Sequence, residues 1–198
     1  MGISAARRDT EEAFLDAAER LLIQLGYAQI TTRKLAEAAG ANHGLVHYYF
    51  GSMEELFVRV LERFTARITE RQRAMYGSDI PFIEKWRRAM AYIDEDLASG
   101  YPKVWMELEA MAWNSPEFCE RLIAVHDEWH TLLSDAISRA VDEYGLDRAT
   151  FPLRGMTALV KTFNLGILLE RLIGARNHHE ALLSMIDDYL QSLEKRKR

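Results

Sequence analysis

Cysteine is nearly absent from this sequence. Cys119 is the only one in 198 residues, so no intramolecular disulfide can form, which fits a chain folding in a reducing cytoplasm. Proline is scarce as well, with four residues, and Pro81, Pro102 and Pro116 stand where a helix would begin, a position at which the missing N–H costs nothing. Strand-like alternation bounded by hairpin turns is missing throughout. Long apolar runs are also lacking. Residues 1–20 carry Arg7, Arg8, Asp9, Glu11, Glu12, Asp16 and Glu19, which excludes a secretory signal. The most apolar stretch, Met156 to Ile173, is interrupted by Lys161 and Glu170 before it reaches the ~20 apolar residues of a membrane span. Positive charge is in deficit, with 25 Lys and Arg against 30 Asp and Glu. That balance alone speaks against tight non-specific binding to nucleic acid. The deficit is local, however: residues 1–75 hold ten basic and ten acidic side chains, and the whole acidic excess lies beyond them.

What remains is a chain 48% hydrophobic, long enough to bury a core in one or two domains and patterned as helices throughout. A first helix is expected from Asp9 to Leu25, with Asp9 and Glu12 spaced as a capping box and Phe14, Ala17, Leu21 and Leu25 on one face. Thr31 or Thr32 caps a second helix ending at Gly40, and a third runs from Asn42 to Tyr48. Ser52 and Glu55 form a capping box for a long fourth helix, roughly 35 Å if it continues to Tyr76. Beyond Gly77 five more helices follow. In the last of them Leu182, Ile186, Tyr189 and Leu193 make a seam, while Leu153 to Gly174 is apolar almost all round. A helix apolar on every side must be covered on every side. One protomer supplies too few partners, so the last two helices are expected to pair with their copies in a homodimer.

A helix of about eight residues ending in Gly, followed by a short polar one, is the helix-turn-helix pattern whose second helix enters the major groove. Here the two are Thr32 to Ala39 and Asn42 to Tyr48. The ungapped stretch from Ile30 to Phe57, including Thr32-Arg33-Lys34-Leu35-Ala36, Ala39-Gly40 and Tyr48-Tyr49-Phe50-Gly51-Ser52, resembles the DNA-binding segment of the TetR family of transcriptional regulators. The resemblance covers about the first quarter of the chain. It implies an all-α fold, with a three-helix head (1–51) joined by a long helix to an effector-binding and dimerisation bundle (52–198). It also implies a ligand-responsive homodimeric repressor that releases a palindromic operator, with no enzymatic activity and no cofactor. Departures from the family pattern include His47 and Tyr49 where many relatives have Tyr and His, and Met53 where many have Lys, which removes a phosphate contact. Residues 42–48 contain no Lys or Arg. Base reading therefore falls to Asn42, His43, Leu45 and His47 through hydrogen bonds or methyl contacts. Thr32, Arg33, Tyr48 and Tyr49 are placed for phosphates, which set register rather than sequence preference. Arg7 and Arg8 read either as an arm reaching the DNA or as a solvated tail. Tyr49 and Phe50 have a second role available, packing the small head.

The helices beyond the head are rich in aromatic and sulfur side chains, which suits an apolar or aromatic small-molecule effector. Trp86, Met90, Trp105, Trp113, Phe118, Trp129 and Phe163 are candidate walls, and His126, His130 and Asn164 candidate polar anchors. Aromatics at such helical spacings also serve as ordinary core. Glu107 and Glu109 flank Leu108 as solvated carboxylates, with the alternative that either points a carboxylate into the cavity. His126-Asp127-Glu128-Trp129-His130 sets two imidazoles one turn apart, the spacing of zinc hydrolases. That chemistry needs Glu directly after the first His, and the position is Asp127. A helical zinc-dependent hydrolase and a helical interaction adaptor thus stand as alternatives to the regulator, which needs no metal.

Overall fold

The computed structural model describes residues 2–176 and 178–197, with side chains from Arg7 onward, and contains no strand among them. The elements are α1 (Gly2–Leu25), a 3-10 turn (Tyr27–Gln29), α2 (Thr32–Ala39), α3 (Gly44–Phe50), α4 (Met53–Gly77), α5 (Phe82–Ser99), α6 (Tyr101–Ala112), α7 (Pro116–Glu143), α8 (Leu153–Leu172) and α9 (His179–Lys197). The all-α expectation holds. Local chemistry sets most boundaries. The Thr31 hydroxyl accepts the Lys34 N–H at 3.2 Å, and Gly40 closes α2 in the left-handed region at φ 64°. α3 starts at Gly44 rather than Asn42, because the Asn42 carboxamide oxygen accepts the Gly44 N–H at 2.9 Å and holds Asn42 outside the helix. Ser52 accepts the Glu55 N–H at 3.0 Å, which is one half of the expected capping box. The Glu55 carboxylate does not complete it, being taken by Arg121 at 2.7 and 3.1 Å. The first helix departs further. It begins at Gly2, so Asp9 lies well inside it and cannot cap, while Glu12 accepts from Arg63 at 3.0 Å.

The chain forms two compact units, and they do not part at the 51/52 boundary expected from the sequence. The first comprises residues up to Ala66 together with Lys103–Val125, and the second comprises Arg67–Pro102 together with His126 onward. Helix α6 from Lys103 therefore belongs with the helix-turn-helix, and α4 and α7 each give residues to both units.

In the first unit Phe14, Leu22, Leu35, Val46, Leu56, Leu61, Val104 and Leu108 are fully buried. Burying each such side chain contributes about 1.5–3 kcal/mol. Phe14 meets Phe50 edge to face at 6.2 Å and Tyr49 at 6.3 Å. Phe50 is thus a core residue of the head. Around this core α4 holds α1 by charge: Arg59 meets Glu11 at 2.6 Å, and Arg63 meets Glu12, Asp16 and Glu19 at 3.0, 2.8 and 2.7 Å. Burial alone would lower the Arg63 pKa, but Glu19 and Asp16 outweigh it and raise it. Partly exposed pairs are individually weak, about 0–1 kcal/mol. Three carboxylates on successive turns sharing one guanidinium nevertheless fix how α4 sits along α1.

In the second unit Met75, Tyr76, Ala89 and Ala136 form one apolar cluster, and Ile83, Trp86, Leu190 and Leu193 form another, with Phe82 and Met90 packed against both. Leu133, Ile137 and Val141 of α7 pack with Met156 and Val160 of α8. Arg87 grips Asp187 of α9 with two hydrogen bonds, at 2.8 and 3.0 Å. Leu159, Leu165 and Leu169 on α8 and Leu182, Met185 and Tyr189 on α9 remain 37–62% exposed. The expected α9 seam is divided, since Leu193 is buried within the protomer, Ile186 half-buried, and Leu182 and Tyr189 exposed. No helix among the described residues is long and apolar enough to cross a membrane.

Candidate nucleic-acid interface

Helix α3 is anchored from its inner side. Val46 and Phe50 are buried, and Leu45 is half-buried, so the opposite side faces outward with Asn42, His43 and His47 exposed. Each candidate base reader is prepared differently. The Asn42 carboxamide oxygen is occupied by the Gly44 N–H, which leaves its NH2 group to donate. His47 Nδ1 lies 2.9 Å from the Gly51 carbonyl oxygen. A carbonyl can only accept, so Nδ1 carries the proton and Nε2 of the neutral ring is an acceptor, suited to the amino group of adenine or cytosine. His43 stands at the N-cap position of α3.

The candidate phosphate contacts flank this surface. Thr32 opens α2 and is half-buried, and Arg33 is exposed beside it. Tyr48 is 64% exposed, whereas Tyr49 is half-buried against Phe14 and Phe50. Tyr48 and Tyr49 meet edge to face at 5.1 Å. The Arg7 guanidinium lies 5.5 Å from the Tyr48 ring centroid and 5.9 Å from that of Tyr49. Arg7 is therefore a residue of α1 that stands beside the aromatic pair. Only the spacing of Arg7 ahead of the apolar face of α1 could have signalled this, and the Asp9 capping reading concealed it.

Two further residues, 80 positions from the elements they hold, position the reading head. Lys103 donates to the Ile23 carbonyl at the end of α1 at 2.7 Å, and the Glu107 carboxylate accepts the Tyr27 N–H at 2.7 Å. Glu107 is thus not a solvated carboxylate. Gly26 lies between these contacts at φ 78°, and a Cβ there would be 2.7 Å from Glu107 Oε1. No local pattern marks such a contact in the sequence.

The candidate effector walls are spread over both units. In the first unit Trp105 and Phe118 are buried, and Trp113 is 82% exposed at the α6–α7 turn. In the second Trp86 stacks on Phe163 at 6.0 Å, and Met90, His126, Trp129 and Asn164 are half-buried, while His130 is exposed. The Asn164 Oδ1 atom is buried without a hydrogen-bond partner. An open cleft of about 590 Å³ in the same unit is lined by Asp94, Leu97, Arg171, Leu172 and Arg176, none of them expected from the sequence. Among the described residues no group of three or more His, Cys, Asp and Glu side chains is placed to hold a metal ion, the pair His126 and His130 included.

Residues 14–60, which span the second half of α1, the whole helix-turn-helix and the start of α4, match the family model for bacterial regulatory proteins, tetR family. The head of the chain is a TetR-family DNA-binding domain. Similarity to known transcriptional regulators extends well beyond the head. The HTH-type transcriptional repressor AcnR of Corynebacterium glutamicum is 24% identical over 94% of this chain and 95% of its own. Two solved structures share the fold. The transcriptional regulator FadR from Bacillus subtilis in complex with stearoyl-CoA has a TM-score of 0.70 at 16% identity, covering 92% of this chain and 96% of that one. A putative transcriptional regulator from Saccharomonospora viridis in complex with choline has a TM-score of 0.71 at 18% identity, covering 93% and 95%. The chain is thus a transcriptional regulator with a DNA-binding helix-turn-helix.

Proposed function

We propose that this regulator is a cytoplasmic, homodimeric repressor that holds a palindromic operator and releases it when an apolar or aromatic small molecule binds. The observation that carries the reading is the outer side of α3, where Asn42, His43 and His47 stand exposed while Val46 and Phe50 seat the helix. Dimerisation is supported by the uncovered apolar residues of α8 and α9, which a second copy of the same two helices would bury. A dimer sets its two reading helices about one DNA turn, ~34 Å, apart, so that both enter successive major grooves. Asn42, His43, Leu45 and His47 then read bases, and Thr32, Arg33, Tyr48 and Tyr49, with Arg7, hold phosphates. The effector acts by binding more tightly to a state with a different spacing. By linkage it weakens DNA binding by the same coupling free energy, typically ~1–3 kcal/mol. The bound molecules of the two structural neighbours, an acyl-CoA and choline, indicate that such helical bundles accommodate small molecules of unrelated chemistry.

Selection of bound sequences from a random double-stranded pool tests the reading. The wild-type dimer is expected to enrich a palindrome, and Asn42→Ala to relax its sequence. Arg33→Ala is expected to weaken all sequences alike and to flatten the salt dependence. Failure to retain any sequence at low salt would favour the interaction adaptor instead.

A further inference from the structure

Buried polar side chains are few among the described residues: Thr65, Thr69, Gln72, Thr157 and His179. Thr157 donates to the Leu153 carbonyl at 2.8 Å, and His179 meets Glu170 at 2.6 Å. Thr65, Thr69 and Gln72 lie on one stripe of α4, at the spacings of four and three that stack side chains along a helix face. Thr69 and Gln72 belong to the second unit, are 1% and 5% exposed, and leave Thr69 Oγ1 and Gln72 Oε1 without a hydrogen-bond partner. Such a group has given up its hydration for nothing, and in native proteins it is normally met by a water or a ligand.

The surroundings narrow what could meet it. One turn beyond Gln72 the same stripe reaches Tyr76, which clusters with Ala89 and Ala136 and is packed by Met90 and Leu132. Nearby cations are already committed: Arg71 to Glu95 and Asp96 at 3.1 and 2.6 Å, and Lys85 to the Tyr76 carbonyl at 2.9 Å. Burial raises the Tyr76 phenol to about 12, so it stays neutral. We infer that Thr69 and Gln72 are the polar anchor of the effector site, and that the effector is an uncharged molecule whose apolar body ends in a hydroxyl or N–H group. That group donates to the Gln72 oxygen, and the Thr69 hydroxyl shares it. A carboxylate could accept the single Thr69 hydroxyl hydrogen but has none to offer the Gln72 oxygen, which would repel it. A quaternary ammonium also lacks the hydrogen. The inference rests on the ligand-responsive reading above and names the chemistry of its ligand.

The test uses the full-length protein in two arms. Without ligand, Thr69→Val and Gln72→Leu remove unmatched polar groups and are expected to raise the melting midpoint by about 2–4 °C. A lower midpoint in both variants overturns the inference, since the groups would then have partners in the free protein. In the second arm octan-1-ol, octanoate and octyltrimethylammonium, alike in apolar body, are titrated by calorimetry. Octan-1-ol is expected to bind at least tenfold more tightly than the other two, and Gln72→Leu to lose at least tenfold of that affinity. Preference for either charged probe, no binding of the alcohol, or an unchanged affinity in Gln72→Leu overturns it. Release of operator by octanoate would sink the inference and leave the ligand-responsive reading standing. Absence of any operator binding would sink that reading, while the melting arm still judges the two oxygens.

Discussion

The corner between α1 and α2 is held from a distance by Glu107, and its energetics can be worked through. Glu107→Ala removes the charged acceptor of the Tyr27 N–H, a bond of 2.7 Å in a partly buried setting. The expected loss is about 1.5–3 kcal/mol, and Glu107→Gln, which keeps a neutral acceptor, should lose about half as much. Gly26→Ala strains a backbone at φ 78° and ψ 158°, at a cost of about 1–3 kcal/mol. It also places a Cβ 2.7 and 2.8 Å from the two Glu107 oxygens, so the carboxylate must leave and the Tyr27 bond is lost as well. In the double variant that bond can be lost only once. Its destabilisation should therefore fall short of the sum of the two single losses by about 1.5–3 kcal/mol. Urea unfolding at fixed protein concentration measures the cycle, and hydrogen exchange at the Tyr27 amide localises it. Single losses that add to within ~0.5 kcal/mol would refute the contact as the origin of the effect.

Three further outcomes are expected. Leu159→Arg, which puts a charge among the exposed leucines of α8, should halve the mass seen by sedimentation, and an unchanged mass would refute the proposed dimer face. Arg7→Ala should weaken binding to every operator sequence alike and lower the salt slope by about 1, because it removes a cation beside Tyr48 and Tyr49; a sequence-selective loss would contradict the phosphate role. The Asp147 carboxyl is held below its usual range by the Thr150 hydroxyl and the Ala149 and Thr150 N–H groups. Its contribution is thus complete above the ordinary Asp value of about 3.9 and lost as pH falls through the lowered one. The Thr150 amide shift should titrate with a midpoint below that ordinary value, and a midpoint at or above it would count against these bonds.

Features written in neighbouring residues were legible in advance. Thr31, Gly40 and Ser52 act on backbone groups within a few positions of themselves, and the boundaries of α2 and the start of α4 followed from them. The start of α1 did not. Asp9 and Glu12 have capping spacing, but nothing in Ser4-Ala5-Ala6-Arg7-Arg8 stops a helix, and the carboxylates answer to α4 rather than to backbone amides. Contacts between distant residues left no trace in periodicity, as the Lys103 and Glu107 bonds show. On a wheel Thr69 and Gln72 fall on the arc of Leu61, Thr65 and Tyr76, turned away from Arg67 and Glu70. Their burial was thus legible from position, and only their polar side chains concealed it.

The hold of α6 and α7 on the first unit bears on how reading heads can be exchanged between relatives. A graft cut at Gly51 would carry away Glu11, Glu12, Asp16 and Glu19 but leave Arg59 and Arg63 behind, and it would part Tyr27 from Glu107. The portable piece is discontinuous: residues up to Ala66 and the segment Lys103–Val125 must travel together if a transplanted head is to keep its shape.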